Sequence, residues 1–474
     1  MQLSPETHAA IEAEGESFVP PYPHRRSHAA GFLELLRIYR ENIIGTFSAR
    51  DYHNPLIHAR YGLLDIYTVN EPGLVQETFQ AQHAIFQAKT PQMRHALRPL
   101  LGDGLFVSDR AVWATRRSAV QSIVHGTKLR GFAPTMVETI AEWSAQWDNL
   151  GEDAPIDALF EMAELTAEII ARTVFGRRLG RGFTSEVVAG FASYQATVDQ
   201  VDILSLLRAP DWIPRLQGRA ARRALRRVHR VIDDIVDRFA RGEGDQSAVV
   251  ARLFEARDGS GRAFSREAIR NEAIVLFMAG HETTANTLAW AWYLISQSPR
   301  VRARLQAELR MVLSGRAAVL EDVRALRYTR AIIEETLRLY PPVPILGRQA
   351  VADGVIGSTP IRRGALVLVA PFMLHRRPAI WSMPDHFVPE RFDDRVAKRP
   401  NKYAYVPFAI GPRICPGLTF GITEAVLTLA TLAQRFDLRL EAGHEVALQC
   451  RLTLRPGANL PMRLARHVAA DAAS

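Results

Sequence analysis

Phe408-Ala-Ile-Gly411-Pro412-Arg413-Ile414-Cys415-Pro416-Gly417, followed by Leu418-Thr-Phe-Gly-Ile and a long apolar run, is the stretch on which the reading of this chain turns. Proline is favoured at the first position of a helix, so Pro416 predicts a helix that starts there with Cys415 at its cap. The Gly417 and Leu418 amides then point back toward the sulfur, and together with the helix dipole they favour a thiolate over a thiol. Gly411 and Gly417 allow a flat, bulky group to approach the backbone closely.

Three roles are open to such a cysteine. A lone buried Cys is most often structural. A zinc site needs partner ligands at fixed spacing, and none stands near; His281-Glu282-Thr283-Thr284-Ala285 also misses the HExxH pattern at its fifth position. A single anionic sulfur with space above it suits axial ligation of haem iron. The chain has only one other cysteine, Cys450, to which the sequence assigns no role, so a disulfide framework is excluded.

Outward from this segment the pattern is mostly helical. Leu225, Val228, Ile232, Ile235 and Phe239 recur at spacings of three and four between about Gly218 and Arg241, and the opposite face is arginine-rich. The longest helix is capped by Ser265, carries Ile274, Phe277, Ala291 and Leu294, and stops at Ser298-Pro299. Pro299 opens the next helix, which Gly315 ends, and Pro341-Pro342 stops another that holds Ala331 to Leu339. Short β-type runs punctuated by Gly fill Arg348 to Leu374, and Leu452 to Leu464 predicts a further hairpin. The expected fold class is mainly α with small β-sheets. With no repeat, linker or composition break, 1–474 is expected to form one domain, with an extended segment over 1–30 and a tail over 467–474.

The 474 residues carry 59 Lys and Arg against 50 Asp and Glu, a net charge of +9. Nucleic acid and an anionic membrane surface are therefore to be weighed as partners. Six of these charges, Arg219, Arg222, Arg223, Arg226, Arg227 and Arg230, fall on one helix, where a solvated face accounts for them. No secretory signal is legible and no apolar run reaches the roughly 20 residues a membrane span requires, so a cytoplasmic monomer without a transmembrane segment is expected.

The cysteine segment resembles FxxGxRxCxG, the haem-binding loop of the cytochrome P-450 family, with Phe408, Gly411, Arg413, Cys415 and Gly417 at the fixed positions. Four further motifs stand in family order: Trp113 and Arg117 as WxxxR, Ala279-Gly280-His281-Glu282-Thr283-Thr284 as AGxETT, Glu335 and Arg338 as ExxR, and Pro389-Glu390-Arg391-Phe392 as PERF. The resemblance implies a triangular, prism-like helical domain. In it haem b lies between the long oxygen-binding helix and the helix after the cysteine. Cys415 is then the iron ligand. Phe408, Gly411, Gly417, Ala279 and Gly280 adjoin the haem; Trp113, Arg117, Arg348 and Arg413 answer its propionates; and Glu335, Arg338 and Arg391 form a buried ion triad. Arg110 and Arg116 read as ordinary surface charges.

Gly280 and the Thr pair are poor choices for a helix interior. Thr283 can bond the Ala279 carbonyl and open a polar notch there, and Glu282 beside it can relay protons to bound dioxygen. The implied activity is hydroxylation of a hydrophobic small molecule, with electrons from a ferredoxin or flavodoxin and its reductase. A peroxide-driven or isomerising enzyme, or a haem-based sensor, would use the same loop. The expected pocket walls are Gln87 to Phe106, Met278, Ala279, Val343 to Leu346 and Leu452 to Leu454.

Overall fold

The Ser265 hydroxyl accepts a hydrogen bond from the Ala268 amide at 3.1 Å and so caps the longest helix, Arg266–Ser296. Its 31 residues span about 46 Å. Ile274, Phe277, Ala291 and Leu294, whose spacing marks the helix in the sequence, are all buried. A helix apolar nearly all round belongs in the centre of a fold, and this one lies in the main hydrophobic core.

The computed structural model describes residues 18–28, 30–176, 187–194, 218–258, 260–450 and 452–467, so parts of the two expected terminal segments lie outside the described residues. In chain order the elements needed here are α1 (Phe32–Glu41), β1 (Leu56–Tyr61), β2 (Leu64–Val69), α2 (Pro91–Leu101), α3 (Arg110–Val124), α4 (Leu129–Asp148), β3 (Ala154–Asp157), α5 (Ala158–Phe175) and α6 (Arg219–Ala240). The long helix is α7. After it come α8 (Pro299–Leu313), α9 (Arg327–Leu339), β4 (Leu346–Gln349), β5 (Gly354–Ile356), β6 (Thr359–Ile361) and β7 (Leu366–Val369). The chain continues through α10 (Leu418–Ala433), β8 (Phe436–Leu440), β9 (Leu448–Cys450), β10 (Leu454–Pro456) and β11 (Pro461–Arg466).

Helix α7 packs against α5 on one side and α9 and α10 on the other. Trp290 of α7 stacks on Tyr340 just after α9, with centroids 3.7 Å apart. The expected fold class holds: a mainly helical body carries small sheets. The β-texture after Arg348 does give the antiparallel pair β5–β6, but its outer strands join a four-stranded sheet of order β1-β2-β7-β4 in which β2 and β7 run parallel. The hairpin expected over Leu452 to Leu464 does not form. β10 pairs with β9, whereas β11 pairs with β3 and β8 in a separate sheet, because each strand finds its partner outside the local run.

Two further expectations change. The helix after the cysteine begins at Leu418, with Gly417 as its N-cap, so Pro416 precedes it and Cys415 lies on the loop. Arg116 is no surface charge. It is 7% exposed, bonds Asp103 at 3.0 Å and stands 3.5 Å from Glu272 of α7, whose carboxyl burial raises to about 7. Arg110 is exposed, as expected. On α6, Val228, Ile232, Ile235 and Phe239 are buried and the six arginines exposed. No helix among the described residues is long and apolar enough to cross a membrane.

The ion triad is present and fully buried. Arg338 donates Nε and Nη2 to the Glu335 carboxylate at 2.6 and 2.7 Å, and Arg391 Nε reaches the same carboxylate at 3.3 Å. The remaining Arg338 donors bond the carbonyls of His375, Pro384 and His386 at 2.6–2.8 Å, and the Val388 amide bonds Glu335 at 2.9 Å. The long irregular segment before the cysteine loop is thereby tied to α9. His375 continues the connection, since its Nε2 accepts from the Val406 amide at 2.9 Å, two residues before Phe408. Removing one partner strands buried charge, so Glu335→Gln is expected to cost about 3–5 kcal/mol in chemical denaturation of the haem-loaded protein. A loss under about 1 kcal/mol would show the pairing to be no stronger than a surface ion pair.

Candidate active site

The cysteine loop is held from both ends. The Cys415 amide donates to the Phe408 carbonyl at 2.8 Å, which closes the loop on itself, and Phe408 packs on the main core. Gly411 adopts φ +67°, and a Cβ there would collide with the Phe79 carbonyl; its lack of a side chain serves a backbone-to-backbone approach. At Gly417 a Cβ would have only the Cys415 Sγ within 4 Å, at 3.8 Å, so this glycine does keep the space beside the sulfur open. Burial raises the Cys415 thiol, against the lowering effect of the Gly417 N–H and of the Arg117 charge. Arg117 is turned to the loop itself, with Nη1 donating to the Ile414 carbonyl at 2.5 Å. In the chain alone, desolvation thus outweighs the donors that the sequence places around the sulfur.

Above the loop, α7 carries the other half of the site. Thr283 Oγ1 donates to the Ala279 carbonyl at 2.7 Å and Thr287 Oγ1 to the Thr283 carbonyl at 2.8 Å. Two successive bonds of this kind loosen the helix where the sequence locates the notch. The bare side of Gly280 faces α5, where a Cβ would come within 2.6 Å of Ile170 Cδ1, so this glycine lets two helices approach. The Glu282 carboxylate accepts from Thr453 Oγ1 at 2.6 Å.

Ala279, Glu282 and Thr283 line a cavity of about 580 Å³. Each expected wall contributes to it, including Met93 and Phe106, Val343 and Leu452. The sequence did not suggest its outer part, where Tyr39 of α1, Tyr61 of β1 and Leu366 of β7 converge from distant segments. Cys450 also lines it, its thiol pushed up to about 12 by burial.

Beside the loop lies an excess of buried positive charge. Arg413 bonds Asp109 at 2.7 Å and the Ser108 carbonyl at 3.0 Å, with its guanidinium 4.5 Å over the Trp113 ring. Arg348 is 4% exposed; its one hydrogen bond goes to the neighbouring Gly347 carbonyl at 2.8 Å, and no carboxylate stands within ion-pair distance among the described residues. Lys89 is 8% exposed with its ammonium 4.7 Å over Phe106, also without such a carboxylate. Burial first, then mutual repulsion, lowers all three: Arg348 and Arg413 to about 10, where for Arg413 the repulsion comes from Arg117, and Lys89 well below its ordinary value. Sequence reading missed Lys89, since one lysine in a helix-flanking loop gives no sign that it will be buried. Asp109, shared by Arg413, Arg94 and the Lys89 amide, was missed for the same reason.

Comparison with protein families matches residues 27–459 to Cytochrome P450. The chain belongs to this family. Among curated relatives, cyclooctatin synthase of Streptomyces melanosporofaciens is 32% identical over 419 residues, covering 87% of this chain and 88% of that protein. Cyclooctat-9-en-7-ol 5-monooxygenase of the same organism is 27% identical over 393 residues, covering 82% and 83%. The crystal structure of the cytochrome P450DA heme domain superposes with a TM-score of 0.78 over 95% of this chain and 99% of that one, at 24% identity, which shows the shared fold. The protein is accordingly a P450 monooxygenase, and the family binds haem.

The residues present fit that group. Two buried cations without carboxylate partners match a cofactor that carries two carboxylates, and open space beside the Cys415 sulfur matches an iron ligand. This fit has a consequence for the apoprotein. Arg348→Met replaces a desolvated, underpaired charge by an apolar side chain, so it is expected to stabilise the apoprotein by up to about 1–4 kcal/mol while hastening haem loss. Denaturant unfolding of the apo form and haem transfer to apomyoglobin read the two effects separately. Apoprotein destabilisation with unchanged haem loss would contradict the assignment of Arg348 to a propionate.

Proposed function

We propose that this P450 hydroxylates a hydrophobic, ring-containing small molecule of terpenoid or steroid size, with one oxygen atom from dioxygen entering a C–H bond and the other leaving as water. The observation that carries this reading is the cavity, largely apolar and about 580 Å³, with Glu282 and Thr283 on the wall formed by α7. The names of the two Streptomyces relatives, one a monooxygenase of an alcohol, support the same substrate class.

The overall reaction consumes R–H, dioxygen, two electrons and two protons and yields R–OH and water. Haem, taken as haem b, supplies when bound the oxidising chemistry that activates dioxygen, and the chain supplies the rest. Cys415 Sγ would hold the iron, and Lys89 and Arg348, with Arg413 and Trp113 beside them, would answer the two carboxylates of the group. Thr283 has its hydroxyl proton committed to the Ala279 carbonyl, so its oxygen offers lone pairs to the notch and accepts a hydrogen bond there. Glu282 is the group that gains and gives up protons. The apolar walls hold the substrate above the notch and keep bulk water out.

Electrons are assigned to a separate ferredoxin or flavodoxin with its reductase. Exposed Arg110, Val112, Lys128 and Ile414 surround the cysteine loop and the start of α3 and suit an acidic donor with an apolar centre. A cytoplasmic monomer accords with two cysteines that form no disulfide and requires no second copy to complete the site.

Two measurements test this reading. The reduced, carbon-monoxide-bound protein is expected to show the red-shifted Soret band of thiolate ligation, and Cys415→His is expected to lose it; a histidine-type band in the wild type would overturn the ligand assignment. With a hydrophobic compound chosen by its substrate-induced spin shift, Thr283→Ala is expected to divert electrons from hydroxylated product to hydrogen peroxide. Unchanged product per NADPH would remove Thr283 from the reaction.

A further inference from the structure

Thr453 stands 171 residues from Glu282, between β9 and β10, yet its hydroxyl lies 2.6 Å from the Glu282 carboxylate. We infer that Thr453 is a positioning residue that holds Glu282 in place for proton delivery, an inference that rests on the proton-delivering role given to Glu282 above. A second bond fixes the hydroxyl: Asn286 Nδ2, one helical turn beyond Glu282 on the same face of α7 and 3% exposed, donates to Thr453 Oγ1 at 3.2 Å. The direction of the pair follows from chemistry. A carboxylate accepts only, so the single hydroxyl proton goes to Glu282 and the amide of Asn286 must be the donor on the other side.

The turn that presents Thr453 is itself anchored. The Leu454 amide donates to the Pro342 carbonyl at 3.0 Å, Trp290 Nε1 of α7 donates to the Leu454 carbonyl at 3.4 Å, and Leu454 pairs with Cys450 across the β9–β10 ladder. An anchored donor at short range selects one carboxylate orientation out of the several that a glutamate side chain can adopt. Both residues face the substrate cavity, so this orientation is set at the wall where the substrate packs.

The same geometry excludes a relay role for Thr453. Its proton is committed to Glu282, and an amide such as Asn286 does not replenish it with protons. Protons therefore reach Glu282 from elsewhere, and the loss of Thr453 leaves their source intact while it removes a short-range donor that orients the carboxylate. A misplaced acid slows the proton step and makes that step limit turnover, which a solvent isotope effect detects.

The test uses haem-loaded wild type, Thr453→Val, Thr453→Ala, Thr453→Ser, Glu282→Gln and the double variant Glu282→Gln with Thr453→Val. NADPH drives each through a plant-type ferredoxin and its reductase without added substrate. Dioxygen consumption is measured in H2O and D2O, and the Soret band of the carbon-monoxide form checks that the haem site is intact. Thr453→Val and Thr453→Ala are expected to slow dioxygen consumption about fivefold, the effect on a rate of one net hydrogen bond, and to raise the solvent isotope effect. Thr453→Ser is expected to restore both, and Thr453→Val to add nothing to Glu282→Gln. Slowing without a raised isotope effect, or a full additional loss in the double variant, overturns the positioning role. A Glu282→Gln variant that matches the wild type in rate and isotope effect instead overturns the proton-delivering role of Glu282 on which it rests.

Discussion

The Glu335 carboxylate, with no solvent exposure, is the constraint on which the remaining structure depends. Its two oxygens hold Arg338 of the same helix, Arg391 from a segment more than fifty residues later and the Val388 amide. Taken alone, burying these three charges is not a large source of stability, because the cost of desolvation offsets much of their attraction. What the arrangement supplies is direction. Arg338 converts one ion pair into three bonds to loop carbonyls, and Arg391 adds a bond to the Met383 carbonyl, so the stretch from His375 to Arg391, which has little regular structure, is held by side-chain donors instead. A second buried carboxylate, Glu390, binds Arg300 and Arg304 of α8 and the Tyr328 hydroxyl of α9, and so fastens the same segment to a second helix.

That scaffold sets two regions of unlike electrostatics next to each other. On one side of the cysteine loop, Lys89, Arg348 and Arg413 stand in low-dielectric surroundings with Asp109 as their shared counter-charge. On the other, α7 presents a cavity wall that is apolar except where Glu282, Thr283 and Thr453 meet. The first region carries positive charge that burial and repulsion make costly, and a dianionic group bound there would offset it. The buried cations and the polar spot on the cavity wall are thus separate sets of residues, held by different elements.

Much of this was legible because it is local. Ser265 caps α7 as its position before the apolar run predicts, and Thr283 bonds Ala279 as two residues four apart on a helix must when one is a threonine facing back along it. The glycines were legible as unusual but not as to purpose. Gly280 accommodates Ile170 and Gly411 accommodates the Phe79 backbone, and both contacts are made with elements that the local sequence does not mention. Arg116 failed for a related reason: an arginine next to other arginines on α3 looks solvated until Asp103 and Glu272 are brought to it.

By itself, then, the sequence determined the family, the course of the central helix and the Thr283 bond back to Ala279, since the motifs, the cap and the four-residue spacing are each written in short runs of residues. The tertiary structure alone decided that Lys89 is a buried cation, that Cys450 lines the cavity, that β10 and β11 part company and that Thr453 meets Glu282. Burial and pairing across a hundred or more residues are properties of packing. No residue type announces them, because the energy of a charge or a hydroxyl is set by what surrounds it rather than by what precedes it in the chain.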